Sequence, residues 1–204
     1  SDHHRRLAVG HRQVDVDQDR GVVVVYRGRS TDEIRDTRIV RFDGQRWTAP
    51  RDVHADGWRI TGCPVNGPVV VADGATVWVA WYTEAEGTPE LRAARSTDAG
   101  DTFAAPVTLA KGPHVLGRLG LARGEGHLLV SWLEQAPDER QTLVLGRYDD
   151  AWRQAHHVRV ATLSARGRAS GIPRLQWHDD AAWLVWTDVA GDVPGLHGAR
   201  VRWP

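Results

Sequence analysis

The sequence predicts an all-β protein, a β-propeller in which four blades of four short strands each can be recognised. Apolar runs that end in an aromatic residue recur at Tyr26, Trp81, Trp132 and Trp186, with spacings of 55, 51 and 54 residues. A second aromatic residue follows each of these positions after 17 to 22 residues. Internal periods of this size are typical of propellers and solenoids, because each repeat is a small unit that buries its faces against its neighbours.

The second repeat shows the four strands of a blade most clearly. Its first two predicted strands are joined by Asp73-Gly74, a dipeptide typical of two-residue hairpin turns. The four strands are predicted over residues 67–72, 76–82, 90–95 and 105–110. The same spacing predicts blades over about residues 11–55, 66–111, 117–162 and 171–204. The fourth repeat ends without a recognisable fourth strand, and residues 6–9 are a candidate for an incoming strand that closes the ring.

An eight-residue pattern, S-x-D-x-G-x-T-F, lies between the last two strands of this repeat. It is formed by Ser96, Asp98, Gly100, Thr102 and Phe103. In such a turn the Asp carboxylate accepts backbone N–H groups, and glycine takes the positive φ that other residues resist. The hydroxyls bond locally, and the aromatic ring packs on the neighbouring sheet. The pattern, an Asp-box, therefore predicts a structural turn. Partial copies, which keep an acidic residue and the Trp, occur at residues 42–47 and 148–152.

Charge and cysteine content argue against several classes of function. Lys plus Arg and Asp plus Glu both number 26, so no basic field favours nucleic acid as a partner. The longest apolar run, residues 21–26, is far too short to span a membrane. Cys63 is the single cysteine, so no intrachain disulfide forms. No motif calls for a metal or a cofactor.

The Asp-box, the period and the Trp-ended strands together resemble bacterial sialidase-like Asp-box (BNR-repeat) propeller proteins, over about residues 13–203. Residues 26–36 and 54–68 resemble a narrower group of exported proteins described as exo-α-sialidases. The resemblance implies a periplasmic or secreted protein and a ring of six blades. Either four blades close alone, or further blades are needed, and a second chain or copy is then a candidate for supplying them.

In a propeller, the loops that leave the second strand and those that enter the next blade lie on one face, where functional residues are expected. One such loop carries Arg27, Arg29 and Arg35 beside Asp32 and Glu33. Guanidinium groups there are suited to a carboxylate or phosphate. The alternative is a solvated loop whose charges pair with one another.

Arg118 and Arg174 open the inner strands of the third and fourth blades, which places them near the mouth of the ring. They are further candidates for binding an anionic ligand, because a guanidinium group can hold a carboxylate through two parallel hydrogen bonds.

A second loop with several side chains able to bind a ligand contains His54, Asp56, Trp58, Cys63 and Asn66. Trp58 is a candidate for stacking on a sugar ring, with His54, Asp56 and Asn66 bonding its hydroxyls. The alternatives are a long loop held by packing and turns, and a metal site, although the spacing matches no zinc motif.

Catalytic candidates are few. The sialidase resemblance implies a Tyr nucleophile backed by a Glu, and Tyr82 with Glu84 is the one pair on the expected face. Glycosidase chemistry with two carboxylates has several candidates. They are Asp32, Glu33, Asp56, Glu84, Glu134 and Asp188.

The sequence therefore favours an exported Asp-box propeller that binds a carbohydrate or another anionic small ligand at its loop-rich face. A glycoside hydrolase of exo-sialidase type and a protein–protein interaction platform are the alternatives.

Overall fold

The computed structural model describes residues 13–17, 21–164, 170–190 and 193–203. Within these ranges the chain forms fifteen β-strands and no helix, so no helix in them is long and apolar enough to cross a membrane. The all-β prediction is confirmed. The incoming strand expected over residues 6–9 lies outside the described residues.

The fifteen strands are numbered in chain order. In chain order they are β1 (Gln13–Asp17), β2 (Gly21–Arg27), β3 (Thr37–Phe42), β4 (Arg51–His54), β5 (Val69–Asp73), β6 (Thr76–Thr83), β7 (Glu90–Ser96), β8 (Val107–Lys111), β9 (Val115–Gly124), β10 (His127–Gln135), β11 (Gln141–Tyr148), β12 (Gln154–Leu163), β13 (Arg174–His178), β14 (Ala181–Ala190) and β15 (Val193–Val201). The four strands expected in the second repeat are β5 to β8, each starting within two residues of its predicted position.

Every sheet is an antiparallel meander in chain order. The first three sheets, β1 to β4, β5 to β8 and β9 to β12, have four strands, whereas the fourth contains β13, β14 and β15. The fourth repeat, in which the sequence shows no recognisable fourth strand, thus has three strands within the described residues.

The sheets pack face to face through their first strands. Strand β1 contacts β5, β5 contacts β9, and β9 contacts β13, which is the packing of successive propeller blades around an axis. Trp81, Trp132 and Trp186, which end the apolar runs of the sequence, are all buried between sheets. Among the described residues, three clusters of apolar side chains lie between neighbouring sheets. The burial of their apolar surface drives the association of the sheets.

The eight-residue turn between β7 and β8 has the hydrogen bonds that its pattern predicts. Asp98 Oδ1 accepts the Thr102 N–H at 2.8 Å, and Ser96 Oγ accepts the Gly100 N–H at 2.8 Å. Hydrogen bonds from the Thr102 hydroxyl and backbone lower the pKa of Asp98 to about 2. Gly100 has a φ of 86°, and a Cβ there would lie 2.7 Å from Ile39 Cδ1 of the first sheet. The turn therefore docks closely on the neighbouring sheet.

The same turn position in two other sheets also relies on an Asp. Asp43 Oδ1 accepts the N–H groups of Gln45 and Arg46, each at 2.9 Å. Asp149 Oδ1 accepts the N–H groups of Ala151 and Arg153, also at 2.9 Å. One carboxylate closing a tight turn is thus a repeated local solution for joining the outer two strands of a sheet.

Candidate functional site

Arg27, at the end of β2, is held inside the fold. Its guanidinium donates to the carbonyl oxygens of Asn66, Arg35 and Tyr82 at 2.7 to 3.2 Å, and it lies 4.9 Å from the ring centroid of Trp58. Burial lowers the pKa of Arg27 to about 10, so the group stays charged at neutral pH. Because its donors are directed at loop carbonyls, Arg27 ties the loop-rich face together and is not available to a ligand.

The other two arginines of this loop pair locally. Arg29 bonds both carboxylate oxygens of Glu33, and Arg35 donates to Glu33 Oε2 at 2.9 Å and to the Ile60 carbonyl at 3.2 Å. The pKa of Glu33 is lowered, chiefly by the hydrogen bond from Arg29. The self-paired alternative considered for this loop is the one that the structure has, and Asp32 lies exposed in the same loop.

Trp58 does not present a face for stacking. It is buried, packs edge-on against Tyr82 at 5.7 Å between ring centroids, and is covered by Arg27. The Tyr82 hydroxyl donates to Glu84 Oε1, and burial raises the pKa of the phenol above its ordinary value. Trp58, expected to stack on a sugar, and Tyr82, expected to attack it, thus lie in the packed interior of the loops.

Asp56 is also buried, with 1% of its side chain exposed. Its Oδ1 contacts His54 Nδ1 and Arg92 Nη1, each at 2.8 Å, and its Oδ2 accepts the Trp81 indole N–H at 2.6 Å. This network joins the loop after the first sheet to strands β6 and β7. Cys63 is exposed, and among the described residues no three His, Cys, Asp or Glu side chains converge to hold a metal ion.

The remaining carboxylate candidates make separate contacts. Glu134 Oε1 accepts the Trp132 indole N–H at 2.9 Å on the rim of a separate groove of the third sheet. Asp188 accepts the backbone N–H of Ser164 at 3.2 Å beside the fourth sheet. No interaction between these two carboxylates is seen in the described part of the chain.

Asn66 has a structural part that its sequence position does not reveal. Its Nδ2 donates to the Leu116 carbonyl at 3.1 Å, and its Oδ1 accepts the Arg118 N–H at 2.9 Å. Between these two bonds lies Gly117, with a φ of 81°, where a Cβ would come within 2.7 Å of the Asn66 side chain. Asn66 thus pairs the backbone groups on both sides of Gly117.

Strand β9 bulges at this point. The pairs Ser131–Gly120 and Leu133–Gly117 leave β9 with one residue more than β10 between them. Arg118 lies in the bulge with a φ of 58°, a conformation that costs a non-glycine residue about 1–3 kcal/mol. Bulges commonly redirect a side chain next to a functional site. The position of Arg118 is therefore imposed by its surroundings.

The guanidinium of Arg118 is held from the other side by a buried hydroxyl. Nη1 donates to Ser170 Oγ at 3.1 Å and to the Gly171 carbonyl. Ser170 is fully buried, and its Oγ donates to Gln141 Oε1 at 2.5 Å. Arg118 is thus preorganised by Asn66 from the loop before β5 and by Ser170, which is anchored to β11 of the third sheet.

A cleft of about 150 Å³ opens where β5, β9 and β13 begin, lined by residues 65, 67–69, 118–121 and 172–175. Arg118 and Arg174, predicted to lie near the mouth of the ring, both line it. The side chain of Arg174 is exposed and makes no hydrogen bond or ion pair with the described part of the chain. No Asp or Glu of the described residues lines this cleft. The arrangement can accept an anion.

The residues that hold Arg118 in position carry no signal in the sequence. Gly117, Gln141 and Ser170 were not singled out, because a glycine, an amide and a hydroxyl are common in loops and on exposed strands. Their partners lie 29 to 52 residues away along the chain, so no local pattern marks them.

No protein-family model matches the sequence, and no curated protein does. Several solved structures match the fold. The GH43 endo-arabinanase from Bacillus licheniformis has a TM-score of 0.56 at 12% identity, with 92% of this chain and 70% of that chain covered. A protein of unknown function from Dyadobacter fermentans has a TM-score of 0.62 at 14% identity, covering 96% and 66%. The catalytic domain of the GH62 α-L-arabinofuranosidase from Coprinopsis cinerea has a TM-score of 0.51 at 12% identity, covering 92% and 70%.

These likenesses show the fold, which is that of a β-propeller. They also show that the resemblance to sialidase-like Asp-box proteins is wrong. The matching enzymes belong to the GH43, GH62 and GH32 glycoside hydrolases, five-bladed propellers unrelated to sialidases. The expectation of a six-bladed ring depended on that resemblance and loses its support. The physical reason is that the Asp turn solves a local hydrogen-bonding problem, so its presence does not identify a family.

Proposed function

We propose that this protein binds a carbohydrate bearing a carboxylate, in the cleft lined by Arg118 and Arg174. The observation that carries the proposal is the preorganised guanidinium of Arg118, held in a strained backbone conformation by Asn66 and Ser170. Strain of this kind is retained where the surrounding structure demands it, and such positions cluster at ligand sites. A fixed guanidinium loses little further entropy when it binds an anion.

The electrostatics of the cleft support an anionic ligand. Two arginines line it, and none of the described residues that line it is Asp or Glu. Carbohydrate is the ligand class because the fold is shared with proteins described as an arabinanase, arabinofuranosidases and a fructofuranosidase. Ile172, which lines the cleft and is partly exposed, suits the C–H face of a sugar ring.

The test is calorimetric titration with digalacturonate and with the corresponding neutral galactose dimer. We expect binding of the acidic sugar only, and Arg174→Gln should weaken it at least about tenfold, since a charged hydrogen bond contributes about 1.5–3 kcal/mol. Arg46→Gln is the matched control, because it removes the same charge from a side chain that is 88% exposed in a distant turn. Equal affinity for both sugars, no binding, or an unaffected Arg174→Gln protein would contradict the proposal.

Hydrolysis of a glycoside is the second candidate, favoured by the chemistry of the matching enzymes. Such a reaction uses two carboxyl groups on either side of the bond that is cleaved. Release of reducing ends from digalacturonate or arabinan would support it. Binding without release would leave the protein as a carbohydrate-binding module.

A further inference from the structure

A groove of about 590 Å³ lies on the loop-rich face, separate from the cleft. It is lined by residues 113–114, 134–137, 142 and 159, none of which lines the cleft. These residues belong to the third sheet and to the loop that enters it from the second sheet, and both sheets have four strands. Small ligands commonly bind in pockets of about 300–1,000 Å³. The groove is therefore large enough for a ligand of its own.

The carboxylate of Glu134 is held in place at the rim of this groove. Its Oε1 accepts the indole N–H of Trp132 at 2.9 Å, and Trp132 is fully buried. Glu134 makes no other hydrogen bond or ion pair with the side chains that the structure describes. A carboxylate has about four lone-pair sites, so most of its acceptor capacity remains unused. A ligand at this position must therefore supply donors.

Two further side chains of the groove have polar groups without a protein partner. Arg159 is exposed and makes no hydrogen bond or ion pair within the described ranges. His114 is also exposed, and its imidazole occupies the space that Gly112 leaves open, where a Cβ would lie 2.7 Å from His114 Cε1. A guanidinium group only donates, and a neutral imidazole has one donor and one acceptor. The ligand must therefore offer acceptors as well as donors.

Hydrogen bonds between loops fix the walls of the groove. The Gln135 N–H donates to the His114 carbonyl at 2.7 Å, and the Ala136 N–H donates to the Arg140 carbonyl at 2.8 Å. The Arg140 side chain also pairs with Asp138 at 2.6 Å. The groove is thus formed before any ligand enters, which reduces the entropy lost on binding.

The charges that line the groove are balanced and lie apart. Glu134 is opposite Thr142, and Arg159 is opposite Val144, two residues further along β11. The strand spacing and this offset place the Cα atoms of Glu134 and Arg159 on the order of 12 Å apart. One carboxylate and one guanidinium favour no net charge on the ligand. A molecule that contacts both groups is longer than a single sugar ring.

We propose that this groove binds a neutral oligosaccharide. A hydroxyl group both donates and accepts, so one sugar chain can donate to Glu134 and accept from Arg159. Pro113, Ala136 and Pro137 line the groove with apolar surface that suits the C–H faces of sugar rings. The site is independent of the proposed function, because the cleft has two arginines and no Asp or Glu among its described lining residues, whereas the groove has both signs of charge.

The test is calorimetric titration of the 204-residue chain with the neutral hexamers of galactose and of arabinose. At least one hexamer should bind, whereas the neutral galactose dimer covers only part of the groove and should give no measurable binding where digalacturonate saturates the cleft. Glu134→Gln and Arg159→Gln should each weaken hexamer binding at least about tenfold, because hydrogen bonds to charged groups are strong. Glu134→Gln retains an oxygen that can accept the Trp132 N–H, so the fold is kept.

Matched controls remove the same charges elsewhere. Glu125→Gln changes an exposed glutamate in the turn at the other end of β9 and β10, and Arg46→Gln changes an arginine in a distant turn. Both controls should keep the hexamer affinity of the wild type. Glu134→Gln should also keep the affinity for digalacturonate, since Glu134 does not line the cleft. The groove and the cleft are thus tested separately.

Three results would overturn the proposal. If neither hexamer binds, or if either groove variant binds them as the wild type does, the groove is not a carbohydrate site. If Arg174→Gln weakens hexamer binding and the groove variants do not, the neutral chain occupies the cleft, and the selectivity proposed for the cleft fails as well. If triglycine binds instead of the hexamers and loses affinity in Glu134→Gln, the groove accommodates a zwitterion and not a sugar.

Discussion

Gly117 shows how one residue controls the candidate site. It needs a positive φ, and the space where a Cβ would lie is filled by the Asn66 side chain at 2.7 Å. Gly126 also has a positive φ, of 67°, but a Cβ there would meet nothing within 4 Å. Alanine substitutions at Gly117 and Gly126 therefore distinguish the loss of stability caused by backbone strain from the loss caused by a steric clash.

We expect Gly117→Ala to lower the free energy of unfolding by about 2–4 kcal/mol, because strain and overpacking add. Gly126→Ala should cost about 1 kcal/mol from strain alone. Urea unfolding measures both. Gly117→Ala should also weaken digalacturonate binding, since the bulge that directs Arg118 is displaced. Equal costs for the two substitutions would show that Asn66 yields to the new methyl group.

Asp98 makes a pH-dependent contribution to stability. Its pKa is about 2 in the folded protein, below the ordinary value of 3.8, chiefly because of hydrogen bonds from Thr102. The contribution is therefore present above about pH 4 and is lost as the pH falls through the folded pKa. The stability difference between the wild type and Asp98→Asn should be largest near neutral pH and should shrink between about pH 4 and pH 2. A difference that stays constant over this range would contradict the assigned hydrogen bonds.

At the scale of elements, the loop after β2 contains two arginines with opposite roles. Arg27 is buried and donates to carbonyls from three segments, whereas the side chain of Arg29 is 53% exposed and pairs with Glu33. Arg27 also holds the carbonyl of Asn66, the residue that brackets the bulge in β9. The loop is thus a support for the cleft and not the cleft itself.

Arg27→Met should lower the free energy of unfolding by about 3 kcal/mol or more, because several buried carbonyl oxygens lose their donor. Arg29→Met should cost less than about 1 kcal/mol, as expected for an exposed ion pair. Denaturant titration distinguishes the two. Arg29→Met should also leave the affinity for digalacturonate unchanged. A loss of affinity in this variant would show that the loop after β2 contributes to ligand binding.

At the scale of the whole molecule, stability depends on packing between sheets, and His127 is placed at one such contact. It lies between the third and fourth sheets, 4.6 Å from Trp177 and 6.5 Å from Trp203 between ring centroids. Its Nδ1 contacts the Glu125 carbonyl, while Nε2 is buried without a partner in the described residues. Burial, with smaller effects of Arg147 and Arg123, lowers the pKa of His127 below its ordinary value.

Because the folded pKa is depressed, the neutral form of His127 stabilises the fold fully above about pH 6.5 and the contribution is lost as the pH falls through the folded pKa. We expect His127→Phe to remove this acid sensitivity, so that its stability relative to the wild type rises between pH 7.5 and pH 5. Denaturant unfolding at both pH values is the measurement. His157, whose pKa is also lowered by burial, remains in both proteins and cancels in the comparison. An unchanged difference would show that His127 is protonated without cost.

The sequence predicts much of this molecule at the level of strands and turns, and little at the level of the site. The Trp spacing locates the four sheets, and the Asp turns appear where expected, since both depend on neighbours in the chain. Of the expected ligand residues, Arg118 and Arg174 line the cleft, while Arg27, Trp58 and Asp56 are buried in other contacts. Residue type alone does not distinguish these cases.

What the sequence by itself determined is therefore the all-β architecture, its period and the chemistry of its turns, because alternation, hairpin dipeptides and Asp turns act over a few residues. Only the tertiary structure decided which polar groups remain available to a ligand. The Arg27 guanidinium donates to the carbonyl of Tyr82, 55 residues away along the chain. Arg118 is held in position by Asn66 and Ser170, each 52 residues away, on opposite sides in the sequence. Contacts over such distances are set by the packing of whole sheets, which no local pattern records.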